Sequence, residues 1–257
     1  IRHTAILLYI YTVSLLETIQ YGIIDLMTFD NITPEKLASI IDHTFLKPFG
    51  TPMEIEKLCR EAAEYGFAMV AINPAEVERC VDLLEGTTVG IGAAIGFPLG
   101  QNTRAAKAYE TQDAVERGAT EIDTVINIRA LQAGNYDLIR GEIHDMVNIC
   151  LPARVICKVI LETCYLTDHQ KRIVCQIARE SGVDFVKTST GFGTGGATIE
   201  DIRLMAAEVG PEIGVKASGG IRTLDDALAM IDAGATRIGT SSGVRIVEEL
   251  IAATRAA

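Results

Sequence analysis

From about residue 33 onward, short β-branched or apolar runs alternate with longer amphipathic ones, and a glycine marks passage after passage from helix to strand. This alternation limits the fold more than any other feature of the chain. The segment Thr51-Pro52-Met53-Glu54 shows the pattern well: Thr51 caps a helix, Pro52 takes its first position, and Glu54 can close a capping box. Ile55, Leu58, Cys59 and Ala62 follow at helical spacing, Gly66 ends the helix, and FAMVAI (67–72) begins as a buried strand. The same sequence of signals returns at Gly86, Gly118, Gly182, Gly210 and Gly234. At Thr223-Leu224-Asp225-Asp226 the cap recurs, with Leu224, Ala227, Leu228 and Ile231 as the apolar face. Strands are predicted over 40–46, 67–72, 89–95, 122–127, 155–161, 183–188, 213–217 and 236–240. Helices are predicted over 52–65, 74–84, 103–117, 136–150, 167–181, 198–208, 223–233 and 242–254.

Eight strand-then-helix units with no Ser/Pro-rich linker between them call for parallel strands and right-handed crossovers, and eight is the number that closes a barrel. The expected fold is therefore an α/β (β/α)8 TIM barrel spanning residues 33–257. A doubly wound open sheet is the alternative; it calls for a G-x-G-x-x-G turn after the first strand, which is missing here.

Residues 1–32 stand apart as an additional N-terminal helical extension. Their apolar run AILLYIYTVSLL (5–16) is broken by Glu17, Gln20 and Asp25, short of the roughly 20 residues a membrane span requires. A signal peptide fits poorly too, because a strong basic flank and an A-x-A-like site are both lacking. The run reads as a helix docked on the barrel or on an oligomer partner, with membrane association as the competing reading.

Charge narrows the function classes. With 23 Lys+Arg against 34 Asp+Glu, the net charge of −11 repels nucleic-acid backbones, and there is no basic patch to offset it. A small anionic substrate requires a locally positive pocket. Cys59, Cys80, Cys150, Cys157, Cys164 and Cys175 contain no C-x-x-C pair and read as reduced, mostly buried thiols of a cytoplasmic protein. His3, His43, His144 and His169 share no metal-ligand spacing, so no metal site is expected.

In a barrel, strand residues alternate between lumen and helix layer, and active sites form at the C-terminal strand ends. Polar residues within strands are therefore informative. In EIDTVIN, Asp123, Val125 and Asn127 share one face; Lys158 lies opposite Cys157, Val159 and Leu161; VDFVKTS carries Lys187 and IGVKAS carries Lys216. If the apolar faces meet the helices, Asp123, Lys158, Lys187 and Lys216 converge in the lumen. Desolvation and mutual repulsion there lower a lysine's pKa from roughly 10.4 toward neutrality, leaving a free amine suited to Schiff-base chemistry. One lysine at a strand end is most often a solvated charge; the constellation carries the inference. The loops after strands 6, 7 and 8 hold Thr188–Gly193, Ser218–Gly220 and Ser241–Gly243, whose amides and hydroxyls suit a phosphate, though Gly and Ser also serve tight turns.

The segments IDHT (41–44), GFPLG (96–100), EIDTVIN (121–127), KVILET (158–163), FVKTSTGFGTGGAT (185–198), VKASGGIRT (215–223) and IGTSSG (238–243) resemble the deoxyribose-phosphate aldolase family of class I aldolases. The resemblance runs in order from about residue 40 to 250. It implies reversible cleavage of 2-deoxy-D-ribose 5-phosphate to acetaldehyde and D-glyceraldehyde 3-phosphate, with no cofactor. It implies Lys187 as the Schiff-base lysine, Lys216 as its pKa-lowering neighbour, Asp123 as a general acid/base working through water, and Lys158 as support. Asp42 and Thr44 would lie near the substrate, while Gly191, Gly219, Gly220, Ser241 and Ser242 would hold the phosphate. A homodimer or homotetramer is the expected assembly. The sequence departs from some members in carrying Ala71 where they have a cysteine, and in ending in TRAA where they have a terminal tyrosine. Proton transfer is then expected to rest on Asp123, Lys216 and water. Another Schiff-base lyase and a non-catalytic sugar-phosphate-binding barrel are the competing functions.

Overall fold

A computed structural model describes residues 32–256. Except for Ile32, the expected N-terminal extension lies outside the described residues.

The described chain forms a closed barrel of eight strands in sequence order, all pairs parallel, with β8 returning to β1. The strands are β1 (Ile41–Phe45), β2 (Met69–Ile72), β3 (Gly90–Ile95), β4 (Glu121–Val125), β5 (Ile156–Ile160), β6 (Phe185–Lys187), β7 (Gly214–Ser218) and β8 (Arg237–Thr240). The helices are α1 (Pro34–Ala38), α2 (Pro52–Tyr65), α3 (Val77–Leu83), α4 (Arg104–Glu116), α5 (Ile128–Gln132), α6 (Tyr136–Ala153), α7 (Asp168–Ser181), α8 (Ile199–Val209), α9 (Leu224–Asp232) and α10 (Gly243–Ala256). Each expected strand is present to within two residues at either end.

Local chemistry accounts for the element ends. Glu54 accepts the Thr51 N–H at 2.6 Å, and Gly66 closes α2 in the left-handed region at φ 68°. At the head of α9 the Asp226 N–H donates to Thr223 Oγ1 at 3.2 Å while the Asp226 carboxylate accepts the Thr223 N–H at 3.0 Å. The expected helix over 74–84 divides into a 3-10 turn, Pro74–Glu76, and α3. Two short helices, α1 and α5, and a 3-10 turn at Thr163–Tyr165 go beyond the elements expected from the sequence. Asn127 explains α5: it does not extend β4 beside Asp123 but accepts the Ala130 N–H at 3.0 Å and starts a helix.

An apolar layer outside the strands holds the barrel. Between strands and helices lie fully buried Ile41, Ile122, Val159, Val186 and Ile238, each worth about 1.5–3 kcal/mol relative to exposure. Inside the lumen, Met69 fills the space left by Gly92, where a Cβ would stand 2.5 Å from the Met69 sulfur. Gly239 does the same for a cation: a Cβ there would stand 3.1 Å from Cε of Lys216. These absent side chains make room for long polar ones in the lumen.

Candidate active site

The barrel register aligns the lumen residues in tiers. Asp123 pairs in register with Lys158, Lys187 with Ile160 and Lys216, and Lys216 with Arg237. Lys187 therefore starts two residues nearer the C-terminal mouth than Lys158. Asp123 is the hub: Lys158 donates to its Oδ1 at 2.8 Å, and Lys187 and Lys216 donate to its Oδ2 at 2.8 and 2.7 Å. The convergence expected from strand alternation is present.

A lower tier lies beneath, of which the sequence reasoning named Asp42 but missed Glu121 and Arg237. Asp42 is fully buried, paired with Lys216 at 2.5 Å and with Arg237 at 2.8 Å. Glu121 contacts Lys158 and lies 3.3 Å from Arg237, whose guanidinium also stacks 5.1 Å from the Phe185 ring centroid. Glu121 precedes Asp123 by two on the same strand and Arg237 precedes Gly239 by two, so the barrel register turns both inward.

Electrostatics separates the lysines. Burial alone raises the Asp123 carboxyl, but Lys158, Lys187 and Lys216 outweigh it and hold the group well below the usual carboxylate range. The Asp42 carboxyl is lowered in the same way, against burial, by Arg237, Lys216 and Lys158. Burial, reinforced by Lys216 and Lys158 and opposed by Asp123, lowers Lys187 to about 8. The expectation that crowding depresses lysines generally is corrected at Lys158. Burial pulls it down, yet Asp123, Glu121 and Asp42 surround it and shift it upward.

A cavity of about 600 Å³ opens at the C-terminal mouth. Of the four lumen residues expected to be catalytic, Lys187 reaches its wall, whereas Asp123, Lys158 and Lys216 lie behind. Thr44, Gly191, Gly219, Gly220 and Ser241 line it as well. Ser242 does not: its N–H donates to Thr240 Oγ1 at 2.9 Å. Asp42 does not either, being committed to Lys216 and Arg237 beneath the floor. Lys47, Lys57 and Arg222 also lie on the wall against Glu54 and Glu61, with Lys57 paired to Glu61 at 3.5 Å, so with Lys187 the cations outnumber the carboxylates at the mouth.

The loops behind the wall are tied down. Ser218 Oγ donates to the Ser189 carbonyl at 2.6 Å, and Thr188 Oγ1 donates to the Ser218 carbonyl at 3.0 Å. Gly219 and Gly220 take φ of 87° and 86°, a turn closed to most side chains. Glu162, buried and left-handed at φ 57°, accepts the Thr190 N–H at 3.2 Å and its hydroxyl. Glu162 belongs to the KVILET segment, but nothing local to that segment signals its role, since only the fold brings it to Thr190.

Among the described residues no group of three or more His, Cys, Asp or Glu side chains is placed to hold a metal ion. No described helix is long and apolar enough to cross a membrane. The six cysteines are free, five of them buried and Cys164 partly exposed.

A buried ion network beneath the one lumen amine that reaches the cavity is the equipment of a lysine aldolase, and comparison with known proteins agrees. A deoxyribose-phosphate aldolase of Bacteroides thetaiotaomicron is 71% identical over 218 residues, 85% of this chain and 92% of its own length. One from Thermoanaerobacter pseudethanolicus is 56% identical, covering 83% of this chain and 96% of its own. The tetrameric deoxyribose phosphate aldolase structure from Aeropyrum pernix superposes with a TM-score of 0.81 at 35% identity, over 92% of this chain and 98% of that one. The DeoC/LacD family aldolase profile matches residues 36–249, and with these relatives it shows that the chain belongs to that family of aldolases.

Proposed function

We propose that this aldolase reversibly cleaves 2-deoxy-D-ribose 5-phosphate to acetaldehyde and D-glyceraldehyde 3-phosphate through a Schiff base on Lys187. The observation that carries the reading is that Lys187 alone of the lumen cations lines the cavity, with its pKa lowered to about 8. About a tenth of this amine is then free at pH 7, a few hundred times the share in an ordinary lysine.

The neutral Lys187 amine attacks the aldehyde carbon of the open-chain sugar, and loss of water gives an iminium. That cation withdraws electrons from the bond between carbons 2 and 3. As the hydroxyl on carbon 3 gives its proton to a water held by Asp123, the bond breaks and glyceraldehyde 3-phosphate leaves. The remaining enamine takes a proton from the relay of Lys216, Asp123 and water, and hydrolysis of the new iminium frees acetaldehyde and Lys187. At rest Asp123 is a carboxylate, because Lys158 and Lys216 beside it stabilise that form, and through the bound water it carries the carbon-3 hydroxyl proton only until the enamine is protonated. Lys158 holds it in place. Neither a metal nor an organic cofactor enters these steps.

The phosphate sits against Gly191, Gly219, Gly220 and Ser241, with Ser242 at the head of α10 adding the positive end of the helix dipole. Thr44, on β1 beside the loop that follows β8, contacts the sugar, and Asp42 acts on it only through Lys216. Binding energy from this remote group aligns the reacting carbons with Lys187. The catalytic unit is the barrel, residues 33–257, in a cytoplasmic homodimer or homotetramer; a tetrameric relative supports the assembly.

Sodium borohydride added with acetaldehyde is expected to fix an ethyl group on Lys187, read by peptide mass spectrometry. A turnover-competent preparation in which that peptide stays unlabelled would sink the Schiff-base reading.

A further inference from the structure

We propose that Arg237 is a positioning residue for the reaction: from the floor of the lumen, without touching substrate, it sets the charge the cluster carries and so keeps Lys187 available as a free amine. The proposal rests on the reading of Lys187 as nucleophile and adds the reason that this lysine's proton is the one the cluster holds least firmly.

The contacts supply a charge count. Three carboxylates, Asp42, Glu121 and Asp123, face four cations, Lys158, Lys187, Lys216 and Arg237. With all seven ionised, one positive charge stays buried without a counter-charge, and losing a proton relieves it. Arg237 cannot be the group that loses it, because a guanidinium stays protonated in proteins. Lys158 touches two carboxylates, Glu121 and Asp123. Lys216 touches two as well, Asp42 and Asp123. Lys187 has one, Asp123, on an oxygen it shares with Lys216. Lys187 therefore has least to lose by giving up its proton, and Arg237, by occupying Asp42 and Glu121, creates the excess that makes it do so.

Of the other elements facing Lys187, Met69 of β2 and Gly92 of β3 bring no charge. Glu162, beyond β5, does act on Lys187 through space; burial shifts its carboxyl upward, its oxygens accept the Thr190 N–H and hydroxyl, and it is retained in every variant below, so it offsets all the profiles alike. On the cavity side the wall carries His43, Lys47, Glu54, Lys57, Glu61 and Arg222, all retained in the variants below.

The test is the pH dependence of borohydride trapping on Lys187, alongside that of kcat/KM, in four variants. Arg237→Met removes a cation, so the acid limb of both profiles is expected to move toward higher pH by about one unit or more. Glu121→Gln removes an anion and moves it the opposite way. The double variant restores the balance with an uncharged pair and returns the limb near its native position. Arg237→Lys keeps the charge and leaves the limb in place, even where lost geometry lowers the rate. Opposed shifts with mutual compensation support the proposal; a purely structural Arg237 would slow the enzyme without moving the limb. Unmoved limbs in both single variants, with Lys187 still labelled, overturn the proposal alone. If Arg237→Met does not fold, Glu121→Gln decides by the same criterion. Failure to label Lys187 in the unsubstituted protein overturns the Schiff-base reading, and this proposal with it.

Discussion

Lys187 is held in a state its own fold disfavours. A lysine lowered to about 8 binds its proton less well folded than in the unfolded chain, where its value is roughly 10.4. Between those pH values the unfolded chain carries more protons at this position, so stability from this group rises with pH across that window and is at its minimum below it. Lys187→Met is accordingly expected to abolish labelling and turnover while raising stability at pH 7 by about 2 kcal/mol, after packing losses, from a shift worth ~3 kcal/mol at most. Thermal melts at pH 7 and pH 10 check it, since the gain should fade at the higher pH. Single-residue legibility follows side-chain period. Asp123, Lys158, Lys187 and Lys216 stand out because a charge within an apolar strand is costly to bury unless it meets an opposite charge or serves chemistry. Glu121 and Arg237 stand at strand beginnings, where a charge is ordinary, and only the barrel register turns them inward.

The elements are more legible than the loops between them. Strand and helix positions follow from apolar period and capping chemistry within a few consecutive residues, which is why Thr51, Thr223, Gly66 and Gly182 mark their ends as read. Asn127 escapes because an Asn after a strand can continue it or cap a helix, and the Ala130 amide decides which. The loop after β6 depends on a distant partner, Glu162, at the end of β5. Glu162→Gln weakens a charge-assisted tie to Thr190, worth about 1.5–3 kcal/mol, and loosens the wall that carries Gly191. KM for the phosphorylated sugar is expected to rise roughly tenfold, with borohydride trapping of acetaldehyde, which needs no phosphate grip, nearly unchanged. Steady-state kinetics beside the trapping assay separates the two.

Across the whole molecule, an excess of acid surrounds a small positive interior, and the two must be independent for the enzyme to work as read. Inorganic phosphate should therefore bind the mouth despite the net charge of −11, compete with substrate and raise the melting temperature. At about 100 times its Kd the gain would be ~2.7 kcal/mol, and Ser241→Asp should abolish it by placing a like charge at the wall. Scanning calorimetry with and without phosphate measures this. The sequence announces the barrel through one repeating unit, but the balance of charge inside belongs to the closed ring. Asp42 comes from the first strand and Arg237 from the last, 195 residues apart. Ribosomal synthesis completes Lys187 before Lys216 and Arg237 exist, so the emerging chain carries it as an ordinary protonated lysine. Aldehydes, which the finished enzyme captures, meet at this position only the small free fraction of an ordinary lysine. Closing the ring is thus also the moment of arming: reactivity switches on only once the first and last strands have met.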